Sequence, residues 1–116
     1  MGCHSAGAAE LLGSPALVAA VLADFRTAPI SEAERALFAF LEKVNRAAGQ
    51  VGPAGLEALR HAGWTDQAIF DAISVCALFN FYNRWVDGAG VASMSEAGYR
   101  ASVRRIARSG YHREAV

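Results

Sequence analysis

The chain has 116 residues, with eleven Lys and Arg balancing eleven Asp and Glu to a formal net charge of zero. That length supports one domain with a modest core and is too short for two. The balanced charge speaks against a dedicated nucleic-acid binder. Alanine is by far the commonest residue, and no long run of alternating β-branched residues occurs, so the expected class is all-α.

Residues 3–12 are alanine-rich and read as a first helix. Ser14-Pro15 reads as an N-cap followed by proline at the first helical position, where a missing N–H costs nothing. Leu17, Val18, Val21, Leu22 and Phe25 then repeat at helical spacing. Thr27-Ala28-Pro29-Ile30 breaks this helix, and Ser31 with Glu34 fits a capping box that opens the next. That helix should bury Ala33, Leu37, Phe40, Leu41 and Val44, with Glu42 and Arg46 as an outer i,i+4 pair. Gly49 to Gly55 reads as a loop, with a short helix through Arg60. Gly63 reads as that helix's C-terminal cap. A long helix starts at Trp64 or Thr65 and runs to about Val86, ended by Asp87-Gly88-Ala89-Gly90. A last helix runs from Ser93 or Ser95 to roughly Ser109, with Tyr99, Val103 and Ile106 inward.

The longest apolar run is interrupted by Asp71 and Asn80, so no membrane span is expected. The N-terminal residues do not show the basic-then-apolar order of a secretory signal. Met1-Gly2 departs from a myristoylation motif at Ala6. Two cysteines 73 positions apart are too few for a disulfide scaffold, so a cytoplasmic setting is the expectation.

Several groups are candidates for function. The long helix is apolar on nearly every side, yet carries Asn80, Asn83, Arg84 and Asp87 near its end. Asn80, Asn83 and Asp87 share one face at i, i+3 and i+7, and Arg84 joins it at i+4. On a mostly buried helix such groups need a network, a partner subunit or a ligand. Leu56 to Asn80 has a helix-turn-helix rhythm, but its second helix is too apolar to read base edges. Arg100, Arg104, Arg105 and Arg108, with Arg113 beyond, form a row suited to a solvated or subunit-facing surface. Gly88-Ala89-Gly90 lacks the strand and the GK[ST] of a phosphate loop and reads as a helix terminator. Cys76, among Val75, Ala77 and Leu78, reads as a small buried hydrophobe. His61 reads as a surface residue beside terminal carbonyls. Cys3 lies near a helix start, where the macrodipole favours a thiolate. His4 is poorly placed to assist it, because consecutive helical positions point roughly 100° apart. Positions 6 and 7, from which a helical partner would come, are Ala6 and Gly7.

Four segments carry a family resemblance: CHSAGAAELLGSPALVAAVLADFRTAPIS, EAERALFAFLEKVNR, LRHAGWTDQAIFDAISVCALFNFYNRWVDGAGV and GYRASVRRIARSGY. The third, patterned LxxAGWxDxAIxxAxxVxALFNFxNRxxDGxGV, is the most specific. From about Ala8 to Tyr111 the chain resembles the alkylhydroperoxidase D and carboxymuconolactone decarboxylase superfamily, in particular its peroxidase-related branch. The resemblance implies one all-helical, alkylhydroperoxidase D-like domain over 1–116 that assembles into homo-oligomers. It also implies a Cys-x-x-Cys-x-x-x-His redox site preceded by a helix that supplies an acidic residue.

In that site one thiolate attacks the peroxide, the second cysteine resolves the sulfenic acid, and histidine and carboxylate relay the proton. The resemblance aligns Cys3 with the attacking thiol. The first cysteine would fall ahead of Met1, Gly7 stands at the histidine position, and the acidic helix would lie upstream. Two explanations follow: a shortened version of a longer protein lacking the family's N-terminal helices, or a degenerate member that has lost the chemistry. Exposed apolar surface and self-association are expected if those helices are absent. The implied activity is antioxidant reduction of hydroperoxides by Cys3, with an external thiol or another subunit's Cys3 as resolving partner, and with no cofactor or metal. The alternative is a non-catalytic oligomeric subunit or binding module. Decarboxylase or lactone chemistry would have to draw on His4, His61, Asp87 and the Asn80/Asn83 pair.

Overall fold

The computed structural model describes residues 3–110. They form six helices: α1 (Cys3–Leu12), α2 (Pro15–Asp24), α3 (Glu32–Ala47), α4 (Pro53–His61), α5 (Asp66–Gly88) and α6 (Glu96–Ser109). A 3₁₀ turn at Ala48–Gln50 follows α3. No strand occurs among the described residues, as the all-α expectation requires. The helices group into two compact units, one of Met1–Pro29 with Ala92–Val116, the other of Ile30–Val91.

In the Ile30–Val91 unit, α3 opens on the capping box expected of Ser31 and Glu34. The Ser31 hydroxyl accepts from the Glu34 N–H at 3.2 Å. Glu34 Oε2 accepts from the Ser31 N–H at 2.8 Å and from its hydroxyl at 2.7 Å. These bonds, the hydroxyl's first, hold the Glu34 carboxyl below its ordinary value of 4.5, against a small opposing effect of burial. A depressed folded pKa contributes stability that is present above the unfolded pKa and lost as pH falls through the folded one. Ser31→Ala should therefore cost about 1 kcal/mol at neutral pH. The gap from wild type should narrow as urea titrations are taken below pH 4.5, leaving the share owed to the bond from the Glu34 N–H, which does not titrate.

Glu42 and Arg46 pair across one turn at 3.3 Å on the outer face. The core joins Phe40 of α3, Leu59 of α4 and Ile69 of α5, with Leu37, Leu41 and Val44 packed around them. The segment expected to be a loop through Gly55 is shorter, because α4 already starts at Pro53 behind Gly52. Proline's fixed φ suits the first helical position, and this outweighs the turn preference of the surrounding glycines. Gly55 then lies inside α4 against the Phe40 ring, where a Cβ would come within 3.3 Å of Cε2.

α4 ends in a Schellman motif. Gly63, at φ +98, donates to the Arg60 carbonyl at 3.0 Å, and Trp64 donates to that of Leu59 at 3.1 Å. Thr65 caps α5 by accepting from the Ala68 N–H at 3.2 Å. The Trp64 indole N–H reaches back 2.8 Å to the Ala33 carbonyl, tying this turn to the start of α3. A second Schellman motif at Gly90 and Val91 ends α5, two residues later than expected.

The expectation that α5 is a core helix does not hold. Ile69 is its one buried residue, while Phe70, Leu78, Phe81, Tyr82 and Trp85 are exposed. The reason is angular. At about 100° per residue, Ile69 and Ile73 face α3, and Phe70, Phe81 and Trp85 project from the other side. Length adds to this, since a 23-residue helix outreaches its 16-residue partner α3.

In the other unit, α1 packs against α2 and α6. Ser14 caps α2 by accepting from the Leu17 N–H at 3.3 Å, ahead of Pro15. Val18 is buried there, but Leu22 from the same apolar stripe is exposed. Ser95 caps α6, accepting from the Gly98 N–H at 3.2 Å. Val103 is buried, with Tyr99 and Ile106 half-buried beside it.

Candidate functional site

Cys3 is the first residue of α1, the position at which unpaired N–H groups and the helix dipole favour an anion. Its side chain lies outside the described residues. His4 is exposed and lines a recess of about 310 Å³ with Gly7 and Leu11 of α1 and Val103, Ile106 and Ala107 of α6. The walls are apolar except for that imidazole. Gly7 stands one helical turn after Cys3, and a Cβ built on it would meet nothing within 4 Å. Space for a side chain therefore exists where the resemblance places a histidine. A second recess, of about 230 Å³, opens on the other side of α1 and is lined by Ala6, Ala9, Glu10, Pro15, Glu96, Tyr99 and Arg100.

The polar group on α5 is partly assembled. Arg84 turns back to Asn80, donating 2.8 Å to its side-chain oxygen and 3.1 Å to its carbonyl. The Asn80 amide donates 3.0 Å to the Cys76 carbonyl and lies 3.8 Å from its Sγ. Arg84 is thus directed away from Asp87. Asn80 is half-buried, whereas Asn83, Arg84 and Asp87 are exposed. Water can solvate these three, so the burial argument for a ligand or partner applies to Asn80 alone, and Arg84 meets its need. Cys76 is half-buried and not enclosed as expected, because its neighbours Val75 and Leu78 face outward.

His61 is exposed and donates from Nδ1 to the Glu57 carbonyl at 2.8 Å, with the Glu57 carboxylate 4.0 Å from the same nitrogen, a terminal-turn contact. Beside it Arg60 bridges Asp66 at 2.6 Å and Glu57 at 3.5 Å, fastening the α4–α5 corner. On α6, Arg100 pairs with Glu96 at 3.5 Å, and Arg104, Arg105 and Arg108 are exposed. Arg113 lies outside the described residues. Gly88-Ala89-Gly90 ends α5, with Gly90 at φ +66.

Among the described residues no three His, Cys, Asp or Glu side chains gather into a metal-binding group. No helix of the described residues is long and apolar enough to cross a membrane.

No family model and no curated protein matches this chain. Among solved structures, it is similar to the crystal structure of an uncharacterized peroxidase-related protein from Silicibacter sp. TM1040. The two are 32% identical, with a TM-score of 0.74, over 87% of this chain and 52% of that one. The chain thus spans about half the length of that protein and shares its fold over that span.

Proposed function

We propose that this chain is a member of the peroxidase-related branch of the alkylhydroperoxidase D and carboxymuconolactone decarboxylase superfamily. Its chemistry in this reading is thiol-dependent reduction of hydroperoxides. The observation that supports it most is the 32% identity to a peroxidase-related protein across 87% of the chain. The position of Cys3 at the start of α1 adds the physical basis for a thiolate.

In this reading the Cys3 thiolate attacks one peroxide oxygen and the O–O bond breaks. The departing oxygen takes a proton and leaves as alcohol or water, and Cys3 becomes a sulfenic acid. An external thiol then condenses with it, releasing water and leaving a mixed disulfide. A second equivalent of thiol attacks that disulfide and frees Cys3. A cytoplasmic setting supplies such thiols, and the working form is a homo-oligomer.

A second reading has a specific observation in its favour, since Gly7 leaves the proton-relay position without a side chain. The chain would then be a catalytically degenerate oligomeric subunit or binding module on the same fold. Peroxide consumption with a dithiol reductant, wild type beside Cys3→Ser, separates the two. Consumption lost in the variant supports the enzyme, and background rates in both support the subunit. In the first case Gly7→His should raise the rate tenfold or more, because a positioned general acid contributes about 10²–10⁴-fold and open space receives it.

A further inference from the structure

The entry into α6 is held by more than its cap. The Ser95 hydroxyl accepts from the Gly98 N–H at 3.2 Å, and its carbonyl accepts from the Tyr99 N–H at 3.0 Å. Met94 stands just before that cap and Tyr99 at the fourth helical position, the two places that a hydrophobic staple joins. Tyr99 reaches back along the helix, and its phenol oxygen accepts from the Met94 N–H at 3.2 Å. The Met94 side chain in turn folds over the first turn at Gly98, where an added Cβ would stand 3.5 Å from its Cβ and 3.9 Å from its sulfur. Every one of these contacts lies between residues 94 and 99. Glycine at 98 leaves that flank of the thioether without a shielding side chain.

We propose that Met94 is a peroxide-sensitive clip on α6. The oxidant is a hydroperoxide, hydrogen peroxide in the simplest case. The thioether sulfur takes one peroxide oxygen and the O–O bond breaks. The proton on that oxygen passes to the departing hydroxide, which leaves as water. Sulfur is oxidised by two electrons, the peroxide is reduced, and Met94 becomes methionine sulfoxide. The new S–O group is strongly polar, and holding it against an apolar turn without a hydrogen-bond partner is costly. The side chain therefore lifts from Gly98, and the staple to Tyr99 opens. Tyr99 is half-buried and, with Glu96 and Arg100, forms the α6 wall of the recess that Ala6, Ala9 and Glu10 of α1 complete. Loosening Tyr99 thus carries the change from the entry of α6 to its contact with α1. The clip works without Cys3, and the two are chemically separable. A thiol returns a cysteine sulfenic acid or disulfide to the thiol, whereas the sulfoxide is returned by methionine sulfoxide reductases.

The experiment treats the full chain with millimolar hydrogen peroxide and then with dithiothreitol, which resets the cysteines and leaves any sulfoxide in place. Peptide mass spectrometry reads Met94 separately from Met1, the other methionine of the chain. Amide hydrogen exchange by NMR reads the helix entry at Met94, Gly98 and Tyr99. Met94 should gain one oxygen, and these three amides should then exchange about 2–10-fold faster, the range that loss of one capping element produces. Amides in the core of α3 should keep their rates. Methionine sulfoxide reductase should restore the slow exchange. Met94→Leu, a swap that conserves volume, should exchange like untreated wild type before and after peroxide. Met94→Gln, which carries a polar group at the same reach, should exchange fast without treatment. A Met94 that stays unmodified while Met1 is converted would overturn the proposal. So would a sulfoxide that leaves the three amides unchanged, or a Met94→Leu chain that responds to peroxide as wild type does.

Discussion

Leu59→Ala should lower the stability of the chain by about 2–5 kcal/mol, the cost of removing a fully buried leucine where the surroundings cannot collapse. Leu59 is the most enclosed side chain described, 1% exposed, and it touches both Phe40 and Ile69. These three residues join α3, α4 and α5, so a cavity there loosens every helix contact of the Ile30–Val91 unit. Few side chains share the load, since only Val18, Ala28 and Val103 are otherwise buried among the described apolar residues. For a chain of this size the loss corresponds to a fall in melting temperature of roughly 10–20 °C. Leu22→Ala, at a 63%-exposed position of α2, should stay within about 0.5 kcal/mol of wild type. Urea titrations of both variants read this directly. Equal midpoints would mean that Leu59 does not hold the core.

The second large effect sets one substitution at two glycines with opposite expected signs. Gly63→Ala forces a Cβ into φ +98, a left-handed conformation that costs about 1–2 kcal/mol for a residue with a side chain. The strain falls on the Schellman motif that aims Trp64 at Ala33, so the near-ultraviolet signal of Trp64 should weaken as well. Gly7→Ala meets open space inside α1 and removes the entropy penalty of a helical glycine. It should gain about 0.5–1 kcal/mol. Thermal unfolding by circular dichroism should therefore rank Gly7→Ala above wild type and Gly63→Ala below it. A loss at Gly7 would show that the recess beside His4 is closed.

Local chemistry made most of the fold legible in the sequence. Ser14-Pro15, the Ser31/Glu34 box, Gly63, Thr65 and Gly90 act within four residues of themselves, and each stands where its side chain or backbone freedom predicts. Proline at 53 is a local helix-start signal that Gly49, Gly52 and Gly55 around it obscure. Burial was harder to foresee, because it depends on which elements arrive to cover a face. Phe70, Leu78, Phe81 and Trp85 look like core in isolation, and only the angle separating them from Ile69 and Ile73 hints at two faces. Asn80 and Arg84 stand one turn apart as their spacing requires, but the pull of Arg84 toward Asn80 instead of Asp87 is a choice between rotamers that spacing cannot make. At the candidate site, Cys3 and Gly7 could be found by resemblance. The recess beside Gly7 could not, since its other wall comes from Val103 and Ile106 at the far end of the chain.

The packing of α1 on α6 has a consequence for how the molecule is made. Residues 30–91 form a continuous stretch whose contacts are complete once α5 has been synthesised, so this unit can condense early around local pairings. α1 must wait for a partner roughly eighty residues downstream, the longest loop closure in the fold. Throughout that interval α1 leaves the ribosome with α2 but without α6 to pack on. Nascent chains stalled before residue 96 should accordingly exchange the amide hydrogens of α1 faster than released ones, which makes translation speed across α5 a determinant of how long that helix stays uncovered.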